Sequence, residues 1–184
     1  MRTLLRMIST TCLLTLLGAA GAHAESAFSV APRPVPQGFA AKLGGFNEVP
    51  SVVTKGVGTF RAKLADDGIV YELRFETQGT PAQAHIHVGQ RHTNGGVAVF
   101  LCQTSTNPDP TGLAPDCAGG QVSGKITSAN VIGPAGQGVA AGELEGLLRA
   151  MRAHSTYVNL HTDQFPGGEL RGQIRWAVGF LGGW

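Results

Sequence analysis

The sequence has few charged, aromatic or cysteine residues. Of its 184 residues 14% are charged and 7% are aromatic, and 3 are cysteines. So low a charge argues against a solvated, disordered chain. The 14 basic and 12 acidic residues form no basic block of the kind that binds nucleic acid. We therefore expect one folded domain and no nucleic-acid partner.

Motifs of nucleophilic catalysis and phosphate binding are also missing. The serines lie in no G-x-S-x-G turn, no phosphate-binding glycine loop opens a helix, and no carboxylate pair is clearly placed for glycoside cleavage. Hydrolase chemistry is therefore unsupported. An enzymatic role stays open but is not favoured.

Glycine is abundant, with 27 residues, but it follows no triplet period, which excludes collagen and points to tight turns between short strands. Asp66-Asp67-Gly68 has the composition of a hairpin turn. Eight segments predict strands: 39–45, 57–64, 69–76, 84–89, 97–102, 121–127, 156–162 and 169–176. The pattern predicts an all-β antiparallel sandwich or barrel.

One segment departs from this pattern. Residues 143–151 place Leu144, Leu147, Leu148 and Met151 at helical spacing, which predicts a single short amphipathic helix before the strand at 156–162. We interpret it as a helix that closes one end of the sandwich.

The N-terminus has the layout of a secretory signal peptide. Arg2 and Arg6 precede an apolar stretch at 7–20, and Ala22-His23-Ala24 has the small-residue pattern of a cleavage site. We expect residues 1–24 to be removed. The formal charge of +2 then becomes zero, and the mature protein is expected to be secreted or periplasmic, without a membrane span.

The mature chain is expected to have three parts. Residues 25–37 contain three prolines and predict a flexible leader, 38–176 form the domain, and 177–184 are a tail or an extension of the last strand.

Cys102 and Cys117 are the two cysteines left after cleavage, and they flank a loop rich in Pro, Gly, Asn and Asp. In an exported chain this arrangement predicts a disulfide worth roughly 3 kcal/mol. The alternative, a pair of metal-binding thiolates, lacks C-x-x-C spacing.

The histidines are the most informative residues. Alternation along a strand places His85 and His87 on one face, opposite Ile86 and Val88, so that the two imidazoles can hold one ion. The same alternation in 156–162 turns His161 outward. The strands at 84–89, 156–162 and 169–176 are therefore expected to share a polar outer face.

If these strands are neighbours, the three histidines can converge on the surface of the sheet. Imidazoles suit copper, zinc, iron or nickel, and three of them leave a coordination position open. His92, in the loop 89–96, is a weaker candidate for a fourth ligand. The alternative is that these histidines bind no metal and hydrogen-bond to neighbours, and that Thr162, Asp163 and Glu169 either accept imidazole N–H groups or only hold their loop.

Three segments together resemble a known family. They are AHIHVGQRHTNGGVAVFLC, VIGPAGQGVAAGELEGLLRAMR and TYVNLHTDQFPGGELRGQIRW. They look like the CHRD domain, named for its occurrence in chordin, over residues 38–176. The resemblance implies a Greek-key β-sandwich related to Cu/Zn superoxide dismutase.

The resemblance also implies roles for individual residues. His85 and His87 match a copper-binding H-x-H pair, His161 matches a later histidine ligand, and Arg171 loosely matches an anion-guiding arginine. The long zinc loop of the dismutase is missing, because only His92 and His154 lie between His87 and His161.

The leading hypothesis is an exported, non-enzymatic CHRD domain that can bind copper or zinc through a surface cluster of histidines. Two alternatives stay open. One is a module that binds an extracellular or periplasmic protein without a metal, and the other is a copper-only, superoxide-dismutase-like enzyme.

Overall fold

The computed structural model describes residues 38–177. The predicted signal peptide and leader, and the tail beyond Ala177, lie outside this range. The described part contains the strands β1 (Gly38–Gly44), β2 (Val57–Ala65), β3 (Gly68–Glu76), β4 (Pro81–Val88), β5 (Gly96–Cys102), β6 (Gln121–Ile126), β7 (Thr156–Thr162), β8 (Leu170–Gln173) and β9 (Arg175–Ala177), and the helix α1 (Leu144–Arg152).

The strands form one antiparallel sheet in the order β5-β4-β7-β8-β1-β2-β3-β6, with β9 paired to β1. Several pairings join strands that are distant in sequence, among them β3 with β6, β4 with β7 and β1 with β8, which gives the Greek-key connection. The sheet curls until β5 and β6 at its two ends contact each other. The predicted all-β Greek-key sandwich, with one helix before the penultimate predicted strand, is confirmed.

One face of each strand supplies the core. Phe60 lies opposite Leu73 in the β2–β3 pair, and Leu160 lies opposite Leu170 in the β7–β8 pair, so apolar residues meet across neighbouring strands. The largest fully buried side chains are Phe39, Phe60, Ile69, Leu73, Ile86, Leu101, Ile126, Leu147, Met151, Leu160, Leu170 and Ile174.

The opposite face carries the polar residues. His85 lies opposite Asn159, Asn159 opposite Arg171, and Arg171 opposite Gly44, and directly opposed residues point to the same side of a sheet. The two-residue alternation continues this face along β1 to Lys42. We call this side of the sheet the polar face.

The helix packs as predicted. Leu147, Leu148 and Met151 are buried in the hydrophobic core, while Arg149 and Arg152 remain exposed in the last turn. Within residues 38–177, no helix is long and apolar enough to cross a membrane.

Three further features bear on the predictions. The hairpin turn is confirmed, since Ala65 pairs with Gly68. The strand predicted at 169–176 is divided at Ile174, because β8 pairs with β7 whereas β9 pairs with β1. The predicted Cys102–Cys117 disulfide is present, and it links the end of β5 to the end of the following loop.

Candidate metal centre

The polar face brings His85, His87 and His161 together. One nitrogen from each imidazole lies within 4.8 Å of the others. The ring centroids of His85 and His161 are 5.0 Å apart, and those of His85 and His87 are 5.3 Å apart. The β4–β7 pairing explains this convergence. His85 lies opposite Asn159, and His161 is two residues from Asn159 on the same face of the sheet.

Hydrogen bonds to main-chain carbonyls orient two of the rings. The Nδ1–H of His87 donates to the Gly95 carbonyl, and that of His161 donates to the Pro166 carbonyl, both at 2.9 Å. A carbonyl can only accept, so each Nδ1 carries the proton and each Nε2 keeps its lone pair. Both Nε2 atoms are buried without a hydrogen-bond partner, and so are both ring nitrogens of His85.

Burial keeps these imidazoles neutral. Burial, together with the neighbouring His161 and His87, lowers the pKa of His85 to about 2. Burial lowers the pKa of His87 to about 4, although its hydrogen bond to Gly95 opposes this shift. Burial also lowers the pKa of His161. Neutral imidazoles are the form that binds metal ions.

The prediction of an exposed cluster was wrong. His85 is 3% exposed and His87 is 8% exposed. The alternation assigned the histidines to the correct face, but loops cover that face at this end of the sheet. The loop 89–95, which joins β4 to β5, lies over His87, and the turn containing Pro166 lies beside His161.

A stack of three side chains supports the loop over His87. The Tyr157 ring lies parallel to His87, with centroids 4.7 Å apart, and the Arg171 guanidinium lies 3.4 Å from the centroid of the same Tyr157 ring. The Tyr157 hydroxyl accepts a hydrogen bond from the Gly95 N–H. A Cβ at Gly95 would overlap the Val88 carbonyl, so glycine is required where the loop folds back.

Arg171 does not face solvent as an anion-guiding residue would. Its side chain is 2% exposed and donates to Asn94 Oδ1 at 3.1 Å and to the carbonyls of Gln90 at 3.2 Å and Thr93 at 2.6 Å. Its guanidinium therefore fastens the loop 89–95 to the sheet, a role that the family resemblance did not indicate.

Glu48 is a buried charge that the sequence did not reveal. Its carboxylate accepts a hydrogen bond from Asn159 Nδ2 at 2.6 Å. Burial raises the pKa of Glu48 to about 7, against the lowering effects of the Arg171 charge and the Asn159 hydrogen bond. Glu48 lies in a loop with no periodic pattern, 111 residues from Asn159, so only the folded chain brings them together.

The structure also locates two weaker candidates, His92 and Glu169. His92 is exposed and lies outside the histidine cluster, because the loop 89–95 presents it to solvent and lines a groove with it. Glu169 accepts hydrogen bonds from Thr54, Thr162 and the N–H groups of Gln78 and Gly79. It therefore holds loops in place, and main-chain carbonyls rather than Glu169 accept the imidazole protons.

A cavity of about 330 Å³ reaches His161 from outside. Thr104, Thr106, Asn107, Asp163 and Pro166 are among the residues that line it. The cavity thus gives an approach to the least buried of the three histidines.

The model of the CHRD domain family matches residues 39–174. The chain belongs to the CHRD domain family. No curated protein and no solved structure matches it significantly. The CHRD match spans β4, β7 and β8, so all three clustered histidines and Arg171 lie inside the family's domain. The relationship to Cu/Zn superoxide dismutase implied by the sequence stays a prediction.

Proposed function

We propose that this CHRD domain is an exported, non-enzymatic protein that binds one copper or zinc ion through His85, His87 and His161. The observation that carries this proposal is the set of inward-facing ring nitrogens that are buried without a hydrogen-bond partner. A buried polar atom without a partner is costly, and a metal ion would satisfy three of them at once.

The donor set fits the proposed ions. Three neutral imidazoles suit copper and zinc, and the carbonyls of Gly95 and Pro166 supply the second contacts that metal-binding histidines normally make. The cluster includes no carboxylate, which disfavours calcium and magnesium. Copper(II) is expected to bind more tightly than zinc(II), in line with their general order of affinities.

The surroundings favour binding over rapid turnover. Two of the three histidines are covered, and the nearest arginine is engaged with the loop 89–95. When bound, the ion would supply Lewis-acid chemistry, or redox chemistry in the case of copper, beside the cavity that His161 lines. The disulfide and the N-terminal sequence support an oxidising compartment outside the cytoplasm.

Calorimetric titration of the purified, chelator-treated protein with copper(II) and zinc(II) tests the proposal. We expect one ion per chain with a Kd below about 1 μM. His85→Ala and His161→Ala should each weaken copper binding at least about 100-fold, because each removes one of three ligands.

His92→Ala is the matched control, since His92 is an exposed histidine outside the cluster. It should leave the copper affinity unchanged. Binding no tighter than micromolar in the unaltered protein, or equal losses in His92→Ala and His85→Ala, would contradict the proposal. Culture fractionation that finds the protein only in the cytoplasm would contradict its export.

A further inference from the structure

A second candidate site lies on the same polar face and shares no residue with the cluster of His85, His87 and His161. It is a groove of about 510 Å³, which is within the size range of small-molecule sites. Five of its lining residues are cationic, and its described lining contains no aspartate or glutamate; the cations are Lys42, Arg61, Arg91, Arg171 and Arg175.

The strand register explains why this surface is concave. Ala40 on β1 lies directly opposite Arg61 on β2 and directly opposite Arg175 on β9. Neighbouring strands are about 4.8 Å apart, so two long side chains stand about 10 Å apart with only a methyl group between them. Ala40 therefore forms the floor of the groove, and Arg61 and Arg175 form its walls.

Two further cations complete the rim. Lys42 lies two residues beyond Ala40 on the same face of β1, and Arg91 reaches the groove from the loop 89–95. Arg171 fastens that loop to the sheet, so the position of Arg91 is supported by the clamp beneath it. Trp176 also borders the groove, but it lies opposite Phe39 and stacks on this core residue at 4.6 Å, so its ring faces the core.

The charges of the rim are largely available to a ligand. Within residues 38–177, Lys42, Arg91 and Arg175 form no ion pair, and all three are exposed. Arg61 interacts with Glu72 on the neighbouring strand, so it contributes less. Three like charges around one small floor residue repel one another and are stabilised by an anion that lies between them.

We propose that this groove binds a small anion with two or more carboxylate or phosphate groups. Guanidinium groups form paired hydrogen bonds with both kinds of group, whereas Lys42 acts as a point charge. The volume limits the ligand to a small molecule. The site is independent of the proposed metal ion, because it shares no ligand residue with the histidine cluster.

Calorimetric titration tests the proposal. Chelator-treated protein is titrated with inorganic triphosphate and, separately, with citrate. We expect at least one probe to bind at one site per chain with a Kd tighter than about 1 mM, and its affinity to weaken as salt rises from about 50 to about 300 mM. The tighter probe assigns the phosphate or the carboxylate class.

Charge-removing variants decide whether the groove is the site. Lys42→Ala and Arg175→Ala should each weaken binding at least about fivefold. Lys63→Ala is the matched control, because Lys63 is an exposed lysine on the neighbouring strand β2 that does not line the groove. It should change the affinity less than about twofold.

Two results would overturn this assignment. One is the absence of binding by either probe. The other is an equal loss in Lys63→Ala and Arg175→Ala, which would show diffuse attraction to the protein surface. His85→Ala should bind the anion normally, so failure of the metal proposal and failure of this one are distinguishable.

Discussion

The polar face of the sheet has two ends that differ in one respect. At the histidine end, loops cover the face, and its polar groups hydrogen-bond to one another or lie buried without partners. At the groove end the same face is open, and every cation of its lining except Arg171 remains exposed. The strand pattern is the same at both ends. The loops over the sheet, rather than the strand pattern, therefore determine whether a polar side chain on this face is buried or exposed.

Two arginines give the sharpest comparison of the ends. Arg171→Met removes three hydrogen bonds and leaves the buried Glu48 without its nearest favourable charge, so we expect a loss of about 3 kcal/mol or more in the free energy of unfolding. Arg175→Met removes an exposed side chain and should shift the melting temperature by less than about 2 °C. Urea and thermal unfolding measure both. Similar effects in the two variants would show that the cover does not distinguish the ends.

Reduction of the disulfide should act on the covered end. The bridge closes a loop with a sequence separation of 15, worth about 3 kcal/mol, so reduction should lower the melting temperature by roughly 5 to 10 °C. Thr104 in this loop donates to the Ala82 carbonyl and lines the cavity beside His161. The control is the double variant Cys102→Ser, Cys117→Ser, which should not respond to reductant. An unchanged melting curve with both thiols titratable before treatment would refute the bridge.

The covered end should also show a distinctive pH dependence. The folded pKa of Glu48, about 7, lies above its ordinary value of 4.5. Between these values the folded protein holds more protons at Glu48 than the unfolded chain does, so this residue reduces stability as pH rises.

Glu48→Gln should remove that contribution. The stability of the variant relative to the unaltered protein should rise with pH by up to about 3 kcal/mol between pH 4.5 and neutrality. The histidines titrate in both proteins, so their effect cancels in the difference. Parallel curves of unfolding free energy against pH would exclude an ionisable buried Glu48.

Tyr157→Phe should have the smallest effect of the changes at the covered end. It removes the hydroxyl that accepts the Gly95 N–H but keeps the ring that stacks on His87. We expect a loss of about 1 kcal/mol in stability and about threefold in copper affinity, since Gly95 orients His87. Anion binding in the groove should not change. Copper affinity equal to that of the unaltered protein would show that Gly95 is positioned without the hydroxyl.

Local patterns were sufficient to predict the all-β class and the members of the cluster, whereas the Greek-key arrangement was implied by the family resemblance. Two-residue alternation identified the strands and placed His85, His87 and His161 on one face, and helical spacing identified α1. These features depend on neighbours in sequence, because side-chain direction repeats every two residues in a strand and about every 3.6 in a helix.

Long-range contacts explain what was not predicted. The alternation cannot show that a loop returns over its own strand, so the burial of His85 and the engagement of Arg171 were missed. Glu48 reaches Asn159 across 111 residues. The glycine clusters were the available signal: Gly95 permits the loop to close over His87, and Gly168, with a φ of 124°, lies against Asn159 and Glu48.

The central claim is that one metal ion binds between His85, His87 and His161, and an anomalous-scattering map from crystals of the zinc-loaded protein tests it most directly. We predict a single strong peak between His87 Nε2, His161 Nε2 and a ring nitrogen of His85, with His92 uninvolved. A map without a peak at this position, or with its only peak at His92 or elsewhere on the surface, would contradict the account.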